Sequence, residues 1–175
     1  DPAGDRLSSA LDVLDLPEPW LPTPGATDAD QLLVKRFPAL EGCRTRPLQE
    51  SLVAQARKAR EPGLLIVEGP MGVGKTEAAL LAAEVLAERF GLGGVFVGLP
   101  TMATADPMFD RVHAWLRTTV ADHDVSITLA HGKAALNDNY VGLLRRQWNG
   151  ILYGESDSGD RVGEVVVNEW LRGRK

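Results

Sequence analysis

Cysteine is almost missing from this chain. Cys43 is the only one in 175 residues, so no disulfide can form within the chain and no cysteine-based zinc site can be built. A lone thiol suits a reducing compartment, and a cytoplasmic location is the expectation. Histidine is scarce as well: the three present are too few for a two-metal nuclease centre, which gathers several His and Asp from different helices. His123-Asp124 is therefore read as a turn rather than a metal site. No apolar run approaches the roughly 20 residues that a membrane-crossing helix requires, so no membrane partner is expected. The opening Asp1-Pro-Ala-Gly-Asp5 has neither the basic nor the apolar region of a signal peptide. It has no starting Met, and the chain reads as a piece of something longer. Excess positive charge is also lacking. A net charge of −5 and a pI near 5.2 argue against bulk electrostatic capture of nucleic acid, while leaving room for a local basic track.

What is present is an ordinary globular composition, 44% hydrophobic and 25% charged, which fits one α/β domain. Its most informative stretch is Gly69-Pro-Met-Gly-Val-Gly-Lys-Thr76, a full match to the phosphate-loop pattern G-x-x-x-x-G-K-[ST]. The flanks agree with the letters. Gly63 to Glu68 is a short apolar run that reads as a buried strand, and Thr76 to Arg89 reads as an amphipathic helix. In that context the backbone N–H groups around Gly69, Gly72, Val73 and Gly74, together with a helix N-terminus, can converge on phosphate oxygens. Lys75 is expected on the β/γ-phosphates of ATP. The Thr76 hydroxyl is expected as a ligand of Mg²⁺.

The rest of the chain supplies a series of similar units. Arg6 to Leu16 reads as a short helix, followed by a connector broken by Pro17, Pro19, Pro22 and Pro24 and pinned by Trp20. A helix is expected to follow Arg46, with Pro47 in its first turn. Val95 to Leu99 reads as a second buried strand. It is followed by a helix capped by Asp106 with Pro107 at its first position. Val125 to Leu129 reads as a third strand, Asn137 to Trp148 as a helix, and 154–160 as a polar loop. Three β-then-α units in series predict a parallel, doubly wound sheet with helices on both faces, with ligands at the carboxyl ends of the strands. Met108 and Trp115 read as core residues. His131-Gly132 falls at a strand end and can either turn the chain or touch a ligand. The basic residues Arg145, Arg146, Arg172, Arg174 and Lys175 read as solvated surface, with a DNA path as the alternative.

Two further segments narrow the choice among phosphate-loop proteins. A glutamine amide offers one donor and one acceptor, which can pair with adenine N7 and the N6 amino group. Gln49, in Arg46-Pro-Leu-Gln49, stands upstream of the loop, where superfamily 2 helicases carry the glutamine that reads ATP. Gly98-Leu-Pro-Thr-Met-Ala-Thr104 resembles helicase motif Ia, so Thr101 and Thr104 are candidates for gripping the backbone of single-stranded DNA.

The ordered set is more specific than the loop alone. Glu68 to Leu80, then Leu99-Pro-Thr-Met-Ala-Thr104, Met108-Phe-Asp-Arg-Val112, Leu129-Ala-His-Gly-Lys133 and Trp170-Leu-Arg-Gly-Arg-Lys175 resembles the CRISPR-associated helicase–nuclease of type I systems, a superfamily 2 DExH-type enzyme. The resemblance implies that residues 1–28 are an interdomain linker and that 29–175 are an incomplete first RecA-like ATP-binding lobe. It implies a parent that moves along single-stranded DNA with ATP and degrades it with a separate HD nuclease. A type I RNA-guided surveillance complex, Cascade, recruits that parent.

The chain departs from the family in one respect. The acid motif Asp-Glu-x-His, which holds Mg²⁺ and orients the attacking water, does not occur in it. Val165-Val-Val-Asn-Glu169 has Asn168 where the Asp belongs and precedes Trp170-Leu-Arg-Gly-Arg, which in the family comes before the acid motif. The chain by itself is accordingly expected to bind nucleotide weakly and to turn none over. Two alternatives remain open: an ATP-binding lobe of a restriction or repair helicase, and a non-catalytic docking fragment.

Overall fold

A computed structural model describes residues 19–25, 28–120, 125–153 and 165–166. Five α-helices occur among them: α1 (Ala29–Arg36), α2 (Pro47–Lys58), α3 (Lys75–Phe90), α4 (Met102–Arg117) and α5 (Asp138–Tyr153). Local chemistry sets most of their ends. The Asp28 carboxylate accepts the Gln31 N–H at 2.7 Å and caps α1. Pro47 opens α2, where a missing N–H costs nothing. Gly74 leads straight into α3, and Gly91 (φ 62) ends it, with the Leu92 N–H turned back onto the Ala87 carbonyl at 2.8 Å.

Among the described residues, helix α3 contributes to both apolar clusters. Leu81, Ala82 and Val85 pack with Leu32 and Leu33 of α1 and Val53 and Ala56 of α2. Leu80 and Ala87, on another side of the same helix, join a second cluster with Phe109, Trp115 and Tyr140. Burying a leucine or valine contributes about 1.5–3 kcal/mol, so α3 is anchored through both clusters and its N-terminus is rigidly placed.

The connector ahead of α1 is fastened at Trp20. Its indole lies edge-on to Trp115 (centroids 5.2 Å apart). The Trp20 Nε1–H donates to Thr119 Oγ1 at 2.9 Å, and its backbone N–H donates to Gly93 O at 3.0 Å. Arg36 and Glu84 form a fully buried ion pair between α1 and α3. The Arg36 Nε–H donates to both Glu84 oxygens at 2.9 and 2.8 Å, and the remaining guanidinium N–H groups reach the Thr23 and Thr118 carbonyls.

The doubly wound sheet is not what forms. Among the described residues the only strand pairing is β1 (Val125–Ser126) against β2 (Val165–Val166), parallel, with Val125 opposite Val165 and Ser126 opposite Val166. The runs 63–68 and 95–99, expected as buried strands, have no ladder partner among the described residues. Their apolar side chains face outward: Leu64 is 84% exposed, Ile66 77% and Phe96 90%. The third expected strand is reduced to its first two residues. The described chain is thus mainly helical, and the α/β, RecA-like parallel sheet expected from the β-then-α spacing is corrected. An apolar run states a preference for burial, but a strand exists only where a neighbouring backbone completes its hydrogen bonds.

Helix α4 also differs from expectation. It starts at Met102 with Thr101 in the N-cap position, placing Pro107 inside the helix. Asp106 does not cap it; its carboxylate is engaged by His131 and Asn137 instead. The expected helix at 6–16 and Pro17 lie outside the described residues. So do His123-Asp124, the 154–160 loop, the 168–175 segment and the side chain of Arg146.

Candidate functional site

The glycine loop sits at the surface, leading into α3. Gly72 and Gly74 both adopt left-handed backbone (φ 79 and 81), a conformation costing other L-residues about 1–2 kcal/mol, and the chain curls between the exposed Met71 and the first helical residue, Lys75. The curl brings Lys75 Nζ to 2.7 Å from the Gly69 carbonyl and 2.7 Å from the Pro70 carbonyl, so the ammonium lies over the loop's own backbone. Thr76 follows it in the first turn, where helical N–H groups have no intrahelical acceptor.

The upstream segment closes on this loop. The Arg46 guanidinium donates to the Gly72 carbonyl. Gln49 is buried, 3% exposed, with Oε1 accepting the Arg46 N–H at 2.9 Å and Nε2 at 3.3 Å from the Gly74 carbonyl. Residues separated by some 25 positions in sequence are thus joined. Gln49, however, is used in this form to brace the loop rather than to face solvent. The start of α2 is itself held by Asp30, whose carboxylate accepts both the Thr45 Oγ1–H and the Thr45 N–H at 2.6 Å. Those two bonds, the side-chain one foremost, hold the Asp30 carboxyl below its ordinary range.

Thr101 and Thr104 are exposed at the start of α4. Their hydroxyls are 3.0 Å apart, and Thr104 Oγ1 donates to the Thr101 carbonyl at 2.9 Å. Behind them the Lys133 N–H donates to His131 Nδ1 at 3.2 Å, which leaves the ring proton of the neutral imidazole on Nε2, 3.1 Å from Asp106 Oδ1. Asn137 Nδ2 donates to the same carboxylate oxygen at 3.2 Å. This clasp ties the 131–137 turn to α4.

Sequence reasoning missed one contact at the loop altogether. Arg111, on α4, places Nη1 3.5 Å from Thr76 Oγ1 and forms an ion pair with Glu77 through Nη2. No local signal in the sequence points to it, because the contact joins two helices 35 positions apart. Lys75 and Arg46, both held on loop carbonyls, and the open first turn of α3 set cationic and N–H donors side by side, a chemistry complementary to an oxygen-rich anion, while the Arg111 charge is paired to Glu77. Among the described residues no cluster of three or more His, Cys, Asp or Glu side chains could hold a metal ion, and no helix is long and apolar enough to cross a membrane.

Comparison with known proteins adds what geometry cannot. The chain is 41% identical over 146 residues, 82% of its length, to the CRISPR-associated nuclease/helicase Cas3 of Streptococcus thermophilus. It is 41% identical over 128 residues to the CRISPR-associated endonuclease/helicase Cas3 of Thermus thermophilus, and 38% identical over 113 residues to that of Escherichia coli K12. This chain is homologous to a segment of Cas3. It spans 15%, 13% and 11% of the length of those three Cas3 proteins, respectively. No protein-family model matches it, and no solved structure matches it. The resemblance carried by the ordered motifs thus stands at the level of Cas3.

Proposed function

We propose that this Cas3-related chain is the ATP-binding part of an ATP-dependent single-stranded DNA translocase acting in type I CRISPR interference. The observation that carries the reading is the glycine loop: a left-handed curl at Gly72 and Gly74, opening directly into α3, with Lys75 Nζ poised 2.7 Å from two loop carbonyls. Those carbonyl bonds are exchangeable, so the same ammonium can pass to β/γ-phosphate oxygens, with the N–H groups around Gly69, Gly72, Val73 and Gly74 supplying neutral donors. Thr76 is the side chain that would hold Mg²⁺ accompanying ATP. Arg46 lies beside the loop and would add a second cation.

Gln49 is the proposed adenine reader. It is buried in this form, so reading the base would require its amide to leave the Gly74 carbonyl and the Arg46 N–H as nucleotide enters the loop. Thr101 and Thr104 would seat a phosphate of the DNA strand at the start of α4. Bound ATP supplies the free energy for strand movement; the residues of this chain bind and orient it. In the whole protein this activity would serve a nuclease domain and recruitment by Cascade, in the cytoplasm.

Nucleotide binding tests the reading. A fluorescent ATP analogue with Mg²⁺ should bind the chain, and Lys75→Ala should weaken it about 10- to 100-fold, the effect of losing charge-assisted bonds worth roughly 1.5–3 kcal/mol. A wild-type chain without affinity, or a variant binding equally well, defeats the proposal.

A further inference from the structure

The guanidinium of Arg111 lies where a divalent cation should find it an obstacle. Its Nη1 is 3.5 Å from Thr76 Oγ1, long for a hydrogen bond but close for a charge, and its other nitrogen is ion-paired to Glu77, the next residue of α3. A Mg²⁺ ion bound by that hydroxyl would stand about 2 Å from the oxygen. Two cations cannot share such a neighbourhood without mutual repulsion. Arg111 reaches across from a different helix, 35 positions away in sequence, so its placement is a product of the fold rather than of neighbouring sequence.

We infer that Arg111 is a positioning residue that competes with Mg²⁺ for the Thr76 hydroxyl and holds the loop against metal loading until its side chain is withdrawn. The inference rests on reading 69–76 as the ATP–Mg²⁺ loop. Its distinctive consequence concerns the metal, not the nucleotide. Arg111 is half-exposed, at 51%, so it can swing into solvent while Glu77 remains. An exposed ion pair of this kind adds little to stability, so its removal leaves the fold in place.

The experiment measures the affinity of a fluorescent ADP analogue with excess EDTA and again with saturating Mg²⁺, taking the ratio as the metal-dependent gain. Circular dichroism confirms that each variant is folded. Arg111→Gln should raise that ratio roughly 3- to 10-fold, the effect of removing one half-exposed charge, while affinity in EDTA stays within about twofold. Arg111→Lys, which retains a charge on a shorter and non-planar group, should fall between the two. An unchanged or lowered ratio in Arg111→Gln overturns the inference while leaving the loop's nucleotide role intact, and so does an equal gain with and without metal. A wild-type chain that binds the analogue in neither condition sinks the loop reading and this inference with it.

Discussion

Replacing Gly74 with alanine puts a methyl group where the Gln49 amide already lies. A Cβ at position 74 would stand 2.3 Å from Gln49 Nε2 and 3.1 Å from Cδ, with the backbone at φ 81. The left-handed backbone alone costs an L-residue about 1–2 kcal/mol. Gln49 is 3% exposed and cannot simply turn into solvent, so displacing it also breaks its contact with the Gly74 carbonyl and loosens the bond from the Arg46 N–H. Each such bond contributes about 0.5–1.5 kcal/mol. The expected loss is therefore roughly 2–4 kcal/mol, read from urea unfolding followed by circular dichroism.

The structure contains its own control. Gly72 has nearly the same φ, 79, but nothing within 4 Å of its hypothetical Cβ. Gly72→Ala should show the backbone strain without the collision, about 1–2 kcal/mol. In a Gln49→Ala background the obstruction is gone, and the further cost of Gly74→Ala should fall to the Gly72 level. If Gly74→Ala costs no more than Gly72→Ala, or if shortening Gln49 brings no relief, then Gln49 does not brace the loop as described.

Other consequences follow from the buried and titrating groups. Glu84→Gln strands the Arg36 cation, whose side chain is 2% exposed, and should lose about 3–5 kcal/mol in urea unfolding; the apolar pair Arg36→Met with Glu84→Leu should recover most of it. A single variant as stable as wild type would contradict the buried pairing. Asp30 has a folded pKa below its ordinary 3.8, so the stability it contributes is present above that value and is lost as pH falls through the lowered one. The urea midpoint gap between wild type and Asp30→Asn should narrow on acidification below pH 3.8, and a gap that widens there would count against the Thr45 bonds.

The helices were legible because their signals are local. Pro47, the glycine at 91 and the apolar spacing of 76–89 act within a turn or two, and α2, α3 and α5 lie close to where that spacing puts them. The loop conformation was legible for the same reason, since Gly72 and Gly74 permit the curl by lacking Cβ atoms. The start of α4 was misread because Asp106-Pro107 is a good local helix opening. Tertiary contact from His131 and Asn137 claims the Asp106 side chain instead.

What the residues alone determine here is a phosphate-loop pattern, the helices flanking it and kinship with Cas3, all properties of short windows or of their order along the chain. Only the tertiary structure decides partnership. It buries Arg36 against Glu84, joins Trp20 to Thr119 across 99 positions, sets Arg111 on Thr76 and leaves 63–68 and 95–99 unpaired among the described residues. The reason is physical: a helix closes its hydrogen bonds within itself, whereas a strand, an ion pair or a buried amide is completed by atoms that neighbouring sequence does not specify.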